Sequence, residues 1–353
     1  MIPVLYPADQ TIFVGNGIGL LSEVISCKCT EKLNGSYELE LKISRTSPHA
    51  NDIDVNCTIK AKANYEDRYQ LFRVYSVEKN YDDDIDVKAA HISYDTSGIP
   101  ILPFTATNLD AAVDKLNTNR MLLSESPFVV NTELSVEGTL EVKSPTSLRS
   151  LLSGSDASIT GVYGGEYHYD NYTINLVEKR GIDKGICFRW GTNISNFEHE
   201  SNSENLYSAV LGFWKKSGNE NQNDTIVYGN IIECKGVFSY DKIYILDTSN
   251  DIKNPNDAVA TVDQIDDFVT QYIKKNAVGL PKNKIKIDYS DDDDVTEVCI
   301  GDRVGVWYPE YGIKAIARCN TVVFDSFHER NESIELGIDN KDISDSIAEL
   351  YDK

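Results

Sequence analysis

Cys27-Lys28-Cys29-Thr30 and Tyr37-Glu38-Leu39-Glu40-Leu41, with Asn34-Gly35 between them, read as two strands folded back on one another. Polar and apolar side chains alternate on both flanks, the period of a strand with one face in a core and the other in water. Asn-Gly suits a tight hairpin turn because both residues tolerate positive φ. The pattern continues outward as strands at Thr58 to Ala63, Tyr69 to Lys79 and Ile85 to His91, separated by polar turns at Asn64 to Arg68 and Asn80 to Asp84. Residues 10 to 97 are therefore expected to be one antiparallel all-β unit.

The pattern changes at Pro100 and Pro103. Thr107-Asn108 can cap a helix through Arg120 with Leu109, Ala112, Val113 and Leu116 on one face. A short helix is predicted from Pro145-Thr146 to Gly154, with Leu148, Leu151 and Leu152 inward. A second hairpin is predicted over Gly164 to Leu176, turning at Asp170-Asn171. Residues 98 to 197 thus read as a mixed α/β unit. Strands resume at Leu206 to Trp214 and Ile226 to Tyr240. The best helical stretch is Asp257 to Lys275, where Val259, Val262, Ile265, Phe268, Val269, Tyr272 and Ile273 follow the i, i+3, i+4 rule and Lys274-Lys275 complement the dipole. A strand at Lys284 to Tyr289 completes a small α/β insert, and strands return from Val295 to Ile338.

Two distant stretches echo one another. Arg73-Val74-Tyr75-Ser76-Val77-Glu78-Lys79-Asn80, ending in Ile85-Asp86-Val87, is matched by Val322-Val323-Phe324-Asp325-Ser326-Phe327-His328-Glu329-Arg330-Asn331, ending in Ile334-Glu335-Leu336. Read as a repeat, the echo makes two related β units, each followed or interrupted by an α/β insert; the other reading is two hairpins alike by chance.

At 353 residues the chain is long enough for about two to four domains. With 41% hydrophobic and 25% charged residues it falls in the ordinary globular class. No window approaches the ~18 apolar residues of a membrane span, and Met1 to Pro7 lacks the basic and apolar segments of a secretory signal. Synthesis is expected to finish in the cytoplasm. The charge is extreme: 34 basic against 56 acidic side chains give 34 − 56 = −22. Such a surface repels nucleic acid, whose affinity comes from Lys and Arg at phosphates; the plainer reading is solubility.

Gly15-Asn16-Gly17-Ile18-Gly19 lacks the βαβ context of a phosphate loop and reads as a turn. Cys27 and Cys29 share a strand face, yet no second Cys or His pair stands at zinc spacing. The seven cysteines (27, 29, 57, 187, 234, 299, 319) are odd in number and scattered, so they read as small hydrophobes instead of a disulfide framework. Asp291 to Asp294 lacks the alternation and central Gly of a calcium loop and reads as a solvated turn. His49, His91, His168, His199 and His328 fall in no hydrolase motif, and His91 and His168, beside Tyr in strands, read as structural. Trp190, Trp214 and Trp307 suit cores or interfaces better than sugar platforms. The expectation is no catalytic, cofactor or metal site.

The stretches Ile18 to Ser22 and Glu31 to Glu40, then Gln70 to Tyr75, Ala90 to Asp95, Pro103 to Thr107, Gly164 to Tyr167, Arg180-Gly181 to Asn205-Leu206-Tyr207 and Ile334 to Gly337 resemble, in order, the tail-tip hub proteins of phages that infect Gram-positive bacteria. This family is also called phage minor structural protein or prophage endopeptidase tail. The resemblance implies two related β-barrels, each with an α/β insert, three copies forming a pseudo-sixfold ring. On that basis the first barrel covers 1–97 and its insert 98–197. The second covers 198–249 and 295–341 around a small insert at 250–294, and a helical tail covers 342–353. The implied partners are the chain itself, the distal tail protein, the tape measure protein and other tip proteins, with DNA passing through unbound and no membrane insertion. Some relatives carry a wall hydrolase after the hub; this chain is expected to end before one, at Lys353, so no enzyme activity is expected.

Overall fold

A computed structural model describes residues 1–79, 84–155, 157–189, 196–204, 206–216, 224–249, 251–252, 254, 258–288, 297–308 and 313–338. The expected helix at 342–353, the run Asp291 to Asp294 and Trp190 lie outside them. The chain is mostly β sheet with few helices and divides into two compact units: Met1–Phe197 with Lys286–Gly337, and Glu198–Ile285 with Ile338–Lys353.

The first stretch contains β1 (Val4–Tyr6), β2 (Gly19–Leu20), β3 (Val24–Lys32), β4 (Tyr37–Ser44), β5 (Thr58–Ala61), β6 (Gln70–Lys79) and β7 (Asp84–His91). Next come β8 (Pro100–Ile101), β9 (Phe104–Asn108), α1 (Leu109–Thr118), β10 (Val129–Thr132), β11 (Glu137–Val142), β12 (Thr146–Ser147), α2 (Leu148–Leu152), α3 (Ile159–Tyr163), β13 (Glu166–Asp170), β14 (Thr173–Val177) and β15 (Asp183–Arg189). Then follow β16 (Asn196–Asn202), β17 (Ala209–Lys216), β18 (Thr225–Glu233), β19 (Ile243–Asp247), α4 (Val262–Asn276), β20 (Lys282–Asp288), β21 (Arg303–Tyr308), β22 (Ile313–Asp325) and β23 (Arg330–Ile338).

The opening hairpin forms as its alternation dictates: β3 and β4 pair antiparallel with Glu31 opposite Tyr37, and Asn34 takes φ 50° at the turn. Tyr37, Leu39, Leu41 and Ile43 of β4 point into the core, as do Cys27 and Cys29 of β3. In the first unit the sheet order is β23-β22-β3-β4-β7-β6-β5-β1-β2. The long strand β22 has three partners: β23 beside it in that order, and two more along successive segments. Its residues 313–318 pair with β21 and its residues 321–325 with β3, while β15 lies parallel to β21. Both echoing stretches are strand pairs, β6 with β7 and β22 beside β23. The strand path is open, and no barrel closes among the described residues.

Between these strands, α1 buries Leu109, Ala112, Val113 and Leu116, the face expected from its periodicity, and Asn108 rather than Thr107 caps it by accepting from Ala111 N at 2.8 Å. The helix α2 starts at Leu148 behind a Ser147 cap. Three short elements escape a periodicity reading: α3, whose five residues make less than two turns, and the strands β10 and β11 of four and six residues.

In the second unit α4 covers one face of the sheet β18-β17-β19, burying Val210, Trp214, Leu246, Ile265 and Val269. Gly212 and Gly229 permit the approach: a Cβ on Gly212 would sit 2.4 Å from Val269 Cγ2, and one on Gly229 2.8 Å from Ile265 Cγ2. Two expectations are corrected here. The helix begins at Val262 instead of Asp257, because Thr261 and Gln264 form a capping box that closes its N-terminus, leaving Val259 outside and half exposed. The strand expected through Tyr240 stops at Glu233. Its chain must cross the end of β17 to reach β19, and it turns there with Cys234 N donating to Ser208 O.

Candidate functional site

The densest cluster of buried charge lies in the first unit, built from β3, the 64–67 turn, β13, Arg180 and β22. Strand alternation puts Glu31 on the same inward face as Cys27 and Cys29. A carboxylate there demands a cation, since an unpaired buried charge costs several kcal/mol. Arg180, with 4% of its side chain exposed, supplies it: Nη1 pairs with Glu31 Oε1 and Nη2 with Glu66 Oε2 at 2.6 Å. The Arg180 backbone N donates to Glu166 Oε2 at 2.6 Å. Arg318 of β22 grips the same Glu166 with two bonds, at 2.5 and 2.6 Å, and also donates to Arg180 O at 2.8 Å and Gly301 O at 3.0 Å. Such forked pairs fix geometry as well as charge.

Beside this cluster His168 Nε2 meets both Asp67 oxygens at 3.2 Å, and Asn64 holds Asp67 through its side chain at 3.0 Å. Asn34, already at the hairpin turn, accepts from Tyr167 N at 2.9 Å and donates to Gly165 O at 3.1 Å, so the turn residue also fastens β13. Further along, His91 is sandwiched between Gln70 Oε1 and Ser93 Oγ, both at 2.9 Å, and stacks on Tyr37 with ring centroids 4.6 Å apart. Burial lowers the His91 pKa from 6.5 to about 3, so the ring stays neutral.

Burial holds the Glu31 carboxyl above its ordinary value, against the opposing pull of Arg180. Burial also opposes the charge on Arg180, yet Glu31 and Glu66 together outweigh it and keep the guanidinium protonated. The bond from Asp67 raises His168 against its burial; burial in turn pushes Asp67 up, but His168 and Asn64 bring it below its ordinary value. Each carboxylate in the cluster faces a cation or an amide donor, so the arrangement locks charge in place; moving a proton out of it leaves a buried partner unpaired.

The residues weighed for chemistry are dispersed. Gly15 and Gly17 sit at positive φ in a loop ahead of β2. No disulfide joins the seven cysteines, five of which are buried, with Cys187 exposed and Cys234 half-buried. Cys299 lies near the ammonium of Lys184, an arrangement that lowers a thiol pKa, but burial wins and pushes it to about 12. His49 and His328 each pair with an aspartate three residues away at the surface, with Asp52 and Asp325 respectively, and His199 lies on exposed β16. Trp214 is buried and donates to Ile252 O at 3.1 Å, while the partly exposed Trp307 carries Arg189 over its ring. Among the described residues no group of three His, Cys, Asp or Glu is placed to hold a metal ion. Strand parity could have singled out Glu31; nothing local could have named Arg180 as its partner, 149 positions away.

No protein-family model and no curated protein matches the chain. Its fold does match solved structures along its whole length. The prophage tail protein gp18 of Listeria monocytogenes is 13% identical with a TM-score of 0.55, covering 100% of this chain and 99% of its own. A tail protein of Neisseria meningitidis is 10% identical with a TM-score of 0.58, covering 96% of each chain. The 43 kDa tail protein of prophage MuSo2 from Shewanella oneidensis is 11% identical with a TM-score of 0.64, covering 95% of this chain and 98% of its own. The chain therefore has the fold of prophage tail proteins. Among the described residues no helix is long and apolar enough to cross a membrane.

Proposed function

We propose that this chain is a structural hub of a bacteriophage tail tip or baseplate, a homotrimeric ring that joins the tail tube and distal tail protein to the tip and forms part of the DNA exit conduit. The observation that carries the reading is the fold shared end to end with three tail proteins, two of them from prophages, at 95% coverage or more on both sides. In this reading the segment 1–97 is one barrel and the segments 198–249 and 295–341 the related second one, and three copies make a pseudo-sixfold ring. The segments 98–197 and 250–294 are inserts upon them. The tape measure protein and other tip proteins are its further neighbours, and it is built in the host cytoplasm and resides in the virion. It has no catalytic centre, metal or cofactor; its buried charges are joints. A net charge of −22 suits a conduit that must not bind the phosphate backbone passing through it.

Light scattering of the purified chain, alone and with the distal tail protein, is the test. Three chain masses are expected, with no mobility shift of double-stranded DNA at low salt. A monomer at every concentration and with every tail partner overturns the ring, and clearing of a cell-wall zymogram overturns the non-enzymatic reading in favour of a hydrolase.

A further inference from the structure

Among the described residues two apolar surfaces stand exposed, and they differ in shape. The first lies on loops of the first unit. The Tyr172 ring stands between Phe13, 6.4 Å away, and Phe128, 5.1 Å away, and so joins the loops that carry them. From these loops Ile12, Val14, Met121, Leu122, Leu123 and Val129 point into solvent, Leu123 completely so. The second is flat. The sheet β18-β17-β19 has α4 on one face; on the other, strand register lines up Leu211 with Ile231 and Ile245, and Phe213 with Tyr228. Ile226, Tyr228, Ile231 and Ile245 of that face are 44 to 65% exposed. Monomers rarely leave contiguous apolar patches beyond a few hundred Å² uncovered.

Resting on the ring reading above, we propose that the ring closes head to tail, the 121–129 and 12–14 loops of one copy packing on the bare face of the β17–β18–β19 sheet of the next. A ring of three has heterologous contacts, which need two different patches on every chain, one for each neighbour. This chain presents a protruding patch and a flat one. A stable contact hides about 800 Å² on each partner, more than a few side chains supply, and each patch is a cluster of large ones. Charge favours a second copy at this place. Residues 198–285, which hold the sheet, carry nine Lys against thirteen Asp and Glu, 9 − 13 = −4 over 88 residues against −18 over the other 265, so an equally acidic neighbour meets less charge per residue there than on the rest of the chain.

The test uses the full chain and its variants Leu123→Asp and Ile245→Asp, both at exposed positions, followed by sedimentation velocity. Each variant alone is expected to associate at least about tenfold more weakly than the wild type, because a charge replaces a side chain at the contact. Mixed in equal amounts, the two should form a dimer and stop. Leu123→Asp retains a sound sheet face and Ile245→Asp sound loops, so one contact can form and no third copy can be added. Should either variant lose its far-ultraviolet dichroism, Leu123→Ser or Ile245→Thr takes its place. Variants that assemble like the wild type overturn this inference and leave the ring standing. Variants that stay monomeric even when mixed show that the two patches do not meet, which also overturns it. A wild type that never assembles overturns the ring itself.

Discussion

Arg180 is where a single side chain matters most, because it neutralises Glu31 on the inward face of β3 while Arg318 and Glu166 hold its backbone. Arg180→Met leaves that carboxylate buried without a cation, and such a loss costs about 3–5 kcal/mol. Urea denaturation is expected to show it, with Arg180→Met/Glu31→Leu recovering much of the loss, since Glu66 at the rim can turn to water. Buried His91 and half-buried His168 act in opposite senses with pH. His91 has its pKa lowered to about 3, so below 6.5 the unfolded chain takes up a proton that the folded chain refuses, and stability falls as pH drops from 6.5 towards 3. His168 is raised by Asp67, so its contribution is complete below 6.5 and is lost as pH rises through the raised value. Urea midpoints from pH 4 to 9 should therefore decline on both sides; His91→Gln flattens the acid limb and His168→Gln the alkaline one. Glu31 also marks how far the sequence can be read at this scale. The period of two puts it in line with Cys27 and Cys29, an acid where only apolar groups belong, and so announces a joint without naming its other half.

At the scale of elements, the second unit depends on how closely α4 lies on its sheet. Gly212→Ala places a methyl group against Val269 and Ile265, and forcing extra carbon into a packed layer costs about 1–3 kcal/mol. Thr261→Ala removes the cap and should cost about 1 kcal/mol. Thermal melts of the full chain should rank them in that order. The stripe of α4 was legible because it repeats over four turns, whereas its start was not: Val259 continues the stripe, and the Thr261–Gln264 reciprocal bonds override it. The hairpin β3–β4 was legible from one dipeptide. The turn after β18 was not, because Val237, Phe238 and Tyr240 have strand propensity, and what diverts them is the need to cross β17, a demand of topology.

At the scale of the whole molecule, charge and apolar surface pull against each other. Copies of the chain, each of −22, repel one another, and added salt screens that repulsion beyond about 10 Å at 0.1 M. Assembly through apolar patches is thus expected to strengthen as sodium chloride rises, with a lower concentration for half-assembly by sedimentation equilibrium; a contact made of ion pairs weakens instead. Composition made the acidity plain at once, and the echo of β6–β7 in β22–β23 was visible as two similar hairpins. The pairing of β22 with β3 was not, because it joins residues nearly the full chain apart, and no local pattern records a partner so distant.

That double pairing of β22 also has a mechanical side. Ladder hydrogen bonds lie perpendicular to their strands, so tension drawn along β22 shears the rungs of each ladder, to β3 and to β21, and cannot unzip them one at a time. A pull on one end of the strand loads the nearer ladder first and reaches the farther one through covalent backbone, each resisting with all its rungs.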